Sequence, residues 1–157
     1  MKPARVARQA GFTLLEAMVA ISILAILAGL AAANFSSIVN SSRIRAAALD
    51  FSTDLAMARS EAIKRNSDVT LARLGAEWNT GWAISASAGA VTIHTRQALP
   101  VGLSSSSTAA SFVFDGSGRA AALGTVTFCP PANVSTPGRR ISIDTIGIPR
   151  SETLSCP

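Results

Sequence analysis

The spacing of apolar residues takes three forms along the chain. From Phe12 to Ala33 the sequence is almost continuously apolar, with Thr13, Glu16 and Ser22 as its only polar residues. As a helix this segment is about 33 Å long, which matches a bilayer core of about 30 Å. From residue 34 to 66 apolar positions recur three or four apart, at Ile44, Ala48, Phe51, Leu55, Ala58 and Ala62. That spacing predicts one buried face of a helix. Asp50, Asp54, Arg59 and Arg65 are expected on the other faces, with Glu61 four residues before Arg65. Asn66 is the predicted stop, and Lys64 and Arg65 suit a helix C-terminus. The two stretches together predict one helix of about 50 residues, because no proline falls between Ala4 and Pro100.

After Asn66 short runs with a period of two take over, separated by Gly, Ser and Asn. They predict strands at 69–74, 81–87, 91–97, 111–115, 125–129 and 140–144. Connections this short fit antiparallel meanders better than βαβ units, which need helices between strands. Residues 104–110 (SSSSTAA) and 130–138 (PPANVSTPG) read as polar loops. The predicted class is α+β, a long N-terminal helix packed on an antiparallel β domain.

Composition adds little to this picture. Of 157 residues, 48% are hydrophobic and 15% charged, and the apolar excess lies in the first 35. The net charge of +5 includes Lys2, Arg5 and Arg8, all ahead of Gly11; without these three, the basic and acidic counts nearly balance. The positive charge therefore does not by itself mark a nucleic-acid binder. Basic residues ahead of an apolar span stay cytoplasmic, so the remainder of the chain is expected on the far side of the membrane. Arg43 and Arg45 fall close to the expected membrane surface. We read them as a solvated face, with lipid head groups as the other candidate contact.

Two cysteines and one histidine are too few for a structural zinc site. In an exported domain, Cys129 and Cys156 are expected to form a disulfide. Closing that loop contributes roughly 3–4 kcal/mol in the chain-entropy view. No catalytic constellation is evident. His94 is predicted on a strand face, the serines have no nucleophile elbow, and neither a phosphate loop nor metal-ligand spacing occurs. We expect no cofactor and no enzymatic activity.

Three readings of the N-terminus remain on these grounds. It is a cleaved secretory signal ending near Ala31-Ala32-Ala33, an uncleaved anchor, or a processed leader. Only the third accounts for Glu16. Gly11-Phe12-Thr13-Leu14-Leu15-Glu16 resembles the prepilin motif of type IV pilins and type II secretion pseudopilins. The resemblance implies cleavage by a prepilin peptidase after Gly11 and N-methylation of Phe12. It also implies that Glu16 pairs with the N-terminal amine of a neighbouring subunit during assembly, since a paired charge in an apolar medium costs far less than a lone one. Residues 1–11 are then a leader, 12–33 a membrane and filament-core helix, 34–66 its amphipathic continuation, and 67–157 the β domain. The implied location is the inner membrane, with the β domain in the periplasm, and then a pilus or pseudopilus of other such subunits.

The helix end ARSEAIKRN, the pattern Trp78-x-x-Gly81-Trp82 and the run from Phe114 to Arg119 are similar to the FimT/GspH group of minor pilins and pseudopilins. The two tryptophans are equally open to a plain reading as core and turn residues. Some members of the group bind DNA for natural transformation through a G-R-x-R motif near the C-terminus. Here the corresponding Gly147-Ile148-Pro149-Arg150 keeps only the Gly and the last Arg. Arg139, Arg140 and Arg150 are the candidate DNA contacts, beside a plain reading of the three as a solvated basic edge. Within the group, a FimT-like minor pilin is the first expectation and a GspH-like subunit of type II secretion the second.

Overall fold

The structure, a computed structural model, describes residues 11–86, 89–132 and 134–156, the side chains of 30–34 excepted. Among the described residues one long helix, α1 (Leu14–Arg65), is followed by eight strands: β1 (Val69–Arg73), β2 (Trp82–Ala86), β3 (Val91–Arg96), β4 (Ser104–Ser107), β5 (Ser111–Phe114), β6 (Gly124–Cys129), β7 (Gly138–Ile143) and β8 (Pro149–Leu154), with a single 3-10 turn at Trp78–Thr80. The chain divides into two compact units between Ser36 and Ser37.

In the first unit the Thr13 hydroxyl accepts the Glu16 amide at 3.2 Å. This is an N-cap contact, and it puts an acid in the first turn, where the helix dipole favours it. The apolar side chains that follow are exposed all round, from Leu14, Leu15 and Met18 to Ile26 and Leu27. Ser22 donates its hydroxyl to the Met18 carbonyl four residues back, so its polarity is met within the helix. Among the described residues no helix is long and apolar enough to cross a membrane. The expected span 12–33 runs into residues 30–34, whose side chains lie outside the described set.

In the second unit the six expected helix positions, Ile44, Ala48, Phe51, Leu55, Ala58 and Ala62, are all buried. The helix ends at Arg65, and Asn66 takes the left-handed conformation with φ 48°. The Ser67 amide reaches the Ala62 carbonyl and the Asn66 amide the Ile63 carbonyl. These two bonds define a Schellman ending and satisfy carbonyls that the helix cannot.

Two antiparallel four-stranded sheets carry the rest, in the orders β3-β2-β1-β5 and β4-β6-β7-β8. Each contains a meander, as expected, together with one strand from elsewhere in the chain. The helix face and the inner faces of both sheets share one core. Phe51 is its hub, with edge-to-face contacts at 5.0 Å to Trp78, 5.2 Å to Trp82, 5.8 Å to Phe128 and 6.2 Å to Phe112. Both tryptophans are therefore core residues. Gly81 between them has φ 100°, and a Cβ there would strike the Arg96 carbonyl oxygen. Only glycine lets the chain turn so tightly against β3.

Three expectations need correction. Ser104–Ser107 is strand β4, not loop; its partner β6 supplies the apolar alternation that it lacks. Gly138 belongs to β7, not to the preceding loop, so the strand starts two residues before the expected 140, and β8 carries no strand signal in the sequence, because most of its residues are exposed at a sheet edge. Asp54 is buried at 1% exposure instead of lying on a solvated face.

Candidate functional site

The N-terminal residues come first in the chain. Gly11, Phe12 and Thr13 precede α1, and Phe12 is 80% exposed. Glu16 is exposed on the first turn, three residues after its cap Thr13. The basic residues Lys2, Arg5 and Arg8 lie outside the described residues.

The second candidate is the basic lobe near the C-terminus. Cys129 and Cys156 are joined in a disulfide, with Cα atoms 5.9 Å apart. It ties the end of β6 to the residues after β8. Gly138 packs against it, so closely that a Cβ there would meet the Cys156 sulfur. The strands between carry the three arginines but do not gather them. Arg140 lies opposite Glu152, and Ser142 opposite Arg150, in the β7–β8 register. Alternation places Arg140 and Arg150 on one face, the outward one, because Ile141 and Ile143 fill the core side. Arg139 falls on the other face.

Arg140 Nη1 donates to Glu152 Oε1 at 3.2 Å. That pair is exposed on both sides, so its hold is weak. Arg150 is exposed and makes no ion pair among the described residues. Thr125 and Thr127 of β6 lie opposite Ser142 and Arg140, and continue the outward face with hydroxyls. Ahead of Arg150, the Asp144 carboxylate accepts the Ile148 amide at 3.1 Å, and Gly147 turns the chain with φ 76°. The place of the first arginine in G-R-x-R is thus Ile148, just after this turn.

A third polar group was invisible in the sequence. Asp54 accepts hydrogen bonds from Trp82 Nε1 at 2.8 Å and from Arg96 Nε at 3.0 Å on one oxygen, and from Arg96 Nη2 at 3.2 Å on the other. Asp50 lies 3.5 Å from the same guanidinium. The Asp54 hydrogen bonds push the Arg96 pKa further up. His94 Nε2 is buried without a hydrogen bond, 3.8 Å from Asp54. The group joins α1 to β2 and β3, and half-burial by Arg96 keeps it from solvent. No signal in the local sequence marks it, since the partners are 28 and 42 residues apart. Among the described residues no cluster of His, Cys, Asp and Glu is placed to hold a metal ion.

Comparison with known proteins places this architecture. A family model described as type II transport protein GspH matches residues 47–147, and one described as the prokaryotic N-terminal methylation motif matches residues 6–32. No curated protein matches the sequence significantly. Among solved structures, the type IV minor pilin FimU of Pseudomonas aeruginosa PAO1 superposes with a TM-score of 0.63 at 21% identity, over 71% of this chain and 89% of that one. A second crystal form of FimU gives 0.60 at 22% identity, over 69% and 91%. The minor pseudopilin EpsH from the type 2 secretion system of Vibrio cholerae gives 0.56 at 17% identity, over 71% and 97%. At such identities the structural likeness speaks for the fold, and the family rests on the GspH match, which spans more than half of the chain. The chain belongs to the GspH family of type IV pilin-like proteins, with the pilin fold and a prokaryotic N-terminal methylation motif ahead of it.

Proposed function

We propose that this chain is a minor subunit of a type IV pilus, made as a prepilin, cut after Gly11 and methylated at Phe12. A structural role, not catalysis, is its work. The observation that carries this reading is the exposure of every large apolar residue from Phe12 to Leu27 on a segment that the methylation motif covers. An apolar surface of that extent needs a cover. The inner membrane supplies it before assembly, with the β domain in the periplasm, and the helices of other pilin subunits supply it afterwards. The division into a leader at 1–11, a membrane and filament helix at 12–33, its continuation at 34–66 and a β domain at 67–157 follows from this reading. Glu16 then meets the amine that cleavage creates on a neighbouring subunit.

Mass spectrometry of the mature N-terminus tests the processing. A methylated Phe12 is expected; a chain starting at Asn34 belongs to a secreted protein with a cleaved signal and ends the proposal. For Glu16, incorporation of Glu16→Gln into filaments at the wild-type level would remove the assembly role.

Within the family a FimT-like pilin that contacts DNA is the favoured reading. Its support is the outward face bearing Arg140 and Arg150, since guanidinium groups bind phosphate through paired, charge-assisted bonds. Two or three such contacts give weak, salt-sensitive binding. Arg139, on the other face, is the least suited of the three. A gel-shift assay at low salt is expected to show a complex that Arg140→Gln and Arg150→Gln weaken; no shift, or one that both changes leave intact, ends the DNA reading. The second reading, a pseudopilin of type II secretion, is favoured by the description of the matching family model. Deleting the gene and measuring protein export against twitching and DNA uptake separates the two.

A further inference from the structure

A pocket of about 290 Å3 opens where the helix meets the proline-rich loop before β7. Ile38, Ser41 and Arg45 of α1 form one wall, and Ser135, Thr136 and Pro137 form the other. Arg45 is exposed and makes no ion pair among the described residues, and no carboxylate lines the pocket. Thr136 is 7% exposed, and its hydroxyl is buried without a hydrogen-bond partner. The backbone around it is held: the Thr136 amide donates to the Val134 carbonyl at 2.8 Å, and the Val134 amide to the Pro131 carbonyl at 3.0 Å. A buried hydroxyl with no partner is unusual in a folded protein and calls for a group to meet it.

We propose that this pocket binds a single phosphate group. Arg45 supplies the charge and the forked donors that fit a phosphate oxygen pair. Ser41 and Ser135 offer hydroxyls from opposite walls, and Thr136 completes the set with a donor that has no other acceptor. The disulfide closes the loop that carries Ser135 and Thr136, so that wall is tethered independently of the helix wall. The lipid head group and free phosphate share this chemistry. The lipid source rests on the membrane reading above, because Arg45 follows the apolar run closely in the sequence. The pocket itself does not depend on it.

The full chain, purified in a maltoside detergent free of phosphorus, provides the test. Amide resonances of Ser41, Arg45 and Thr136 are followed during titration with inorganic phosphate, with phosphatidylglycerol in mixed micelles, and with a galactosyl diacylglycerol that carries no phosphate. A saturable shift with phosphate or phosphatidylglycerol, and none with the galactolipid, is expected. Arg45→Gln and Thr136→Val each raise the half-saturation concentration about tenfold, as loss of one donor to a charged phosphate oxygen implies. Thr136→Ser, which keeps the hydroxyl, leaves it near wild type and shows that the effect is not one of folding. Tighter binding of phosphatidylglycerol than of free phosphate assigns the lipid; the reverse assigns free phosphate, and leaves the processing at Gly11 untouched. No saturable shift with either probe, or shifts that both variants preserve, overturns the proposal.

Discussion

The indole of Trp82 donates to the buried carboxylate of Asp54 at 2.8 Å, and Arg96 closes on the same carboxylate from the other side. Helix α1 is thereby pinned to strands β2 and β3 by a buried charge paired with the partly buried Arg96. Removing one partner of such a pair strands the other. Asp54→Ala is expected to cost about 3 kcal/mol, the lower end of the range for breaking a buried pair, because Arg96 keeps some contact with solvent. Asp54→Asn, which still accepts from Trp82, costs less. Urea denaturation followed by tryptophan fluorescence measures both. Equal midpoints for wild type and Asp54→Ala would show that the pair does not hold the helix to the sheet.

Phe51 touches four aromatic rings from three strands and the short turn at Trp78–Thr80. It contacts rings belonging to both sheets, Trp82 and Phe112 in one and Phe128 in the other. Phe51→Ala leaves a cavity lined by those rings, and a loss of about 3–5 kcal/mol is expected. Phe51→Leu fills most of the space and costs about half as much. Thermal unfolding orders the three proteins. A melting point for Phe51→Ala within a degree or two of wild type contradicts a hub role.

Reducing the Cys129–Cys156 bond frees a loop with a sequence separation of 27 residues. The double change Cys129→Ser with Cys156→Ser is expected to lower stability by about 3 kcal/mol. The same loop holds Ser135 and Thr136, so phosphate binding should weaken together with stability. Parallel denaturation and titration experiments distinguish a stapled wall from one that stands alone.

Asp115 caps the turn after β5. One carboxylate oxygen accepts the Ser117 hydroxyl at 2.6 Å and the Ser117 and Arg119 amides at 2.9 and 3.0 Å. The Ser117 hydroxyl first, and then the Arg119 amide, lower its pKa from the ordinary value of 3.8. A folded-state pKa below the unfolded one stabilises the protein above the unfolded value, and the stabilisation is lost as pH falls through the folded value. Melting temperatures taken from about pH 6 down to about pH 3 should therefore fall, and Asp115→Asn should fall less steeply. Identical pH profiles for the two proteins are the result that sinks this assignment.

The helix and most strands were legible because their apolar residues keep a period. Ile44 to Ala62 repeat every three or four residues and Ile141 and Ile143 alternate, and burial in the structure follows both patterns. Where a partner supplies the burial, the pattern disappears. Ser104–Ser107 has no apolar side chain, yet it pairs along its whole length with β6. Pro149–Leu154 lies at an edge, where polar residues cost nothing and protect against unwanted pairing. Asp54 reads as a surface acid until Trp82 and Arg96 arrive from distant strands. The processing motif is contiguous and local, so it can be read directly. The Arg45–Thr136 pocket depends on a loop folding back over the helix, and no local spacing announces that.

The two sheets have a further consequence for how the chain can be cut or built. β4 belongs to the second sheet and β5 to the first, so the chain enters the second sheet before it has finished the first. Neither sheet is a contiguous stretch of sequence, and no single cut yields two foldable halves. A chain that emerges N-terminus first cannot close its first sheet until residue 114 is out, and by then an unpaired serine strand is already waiting for β6. The β domain must therefore be delivered whole, and a truncated product has an open sheet edge at every stopping point before β8.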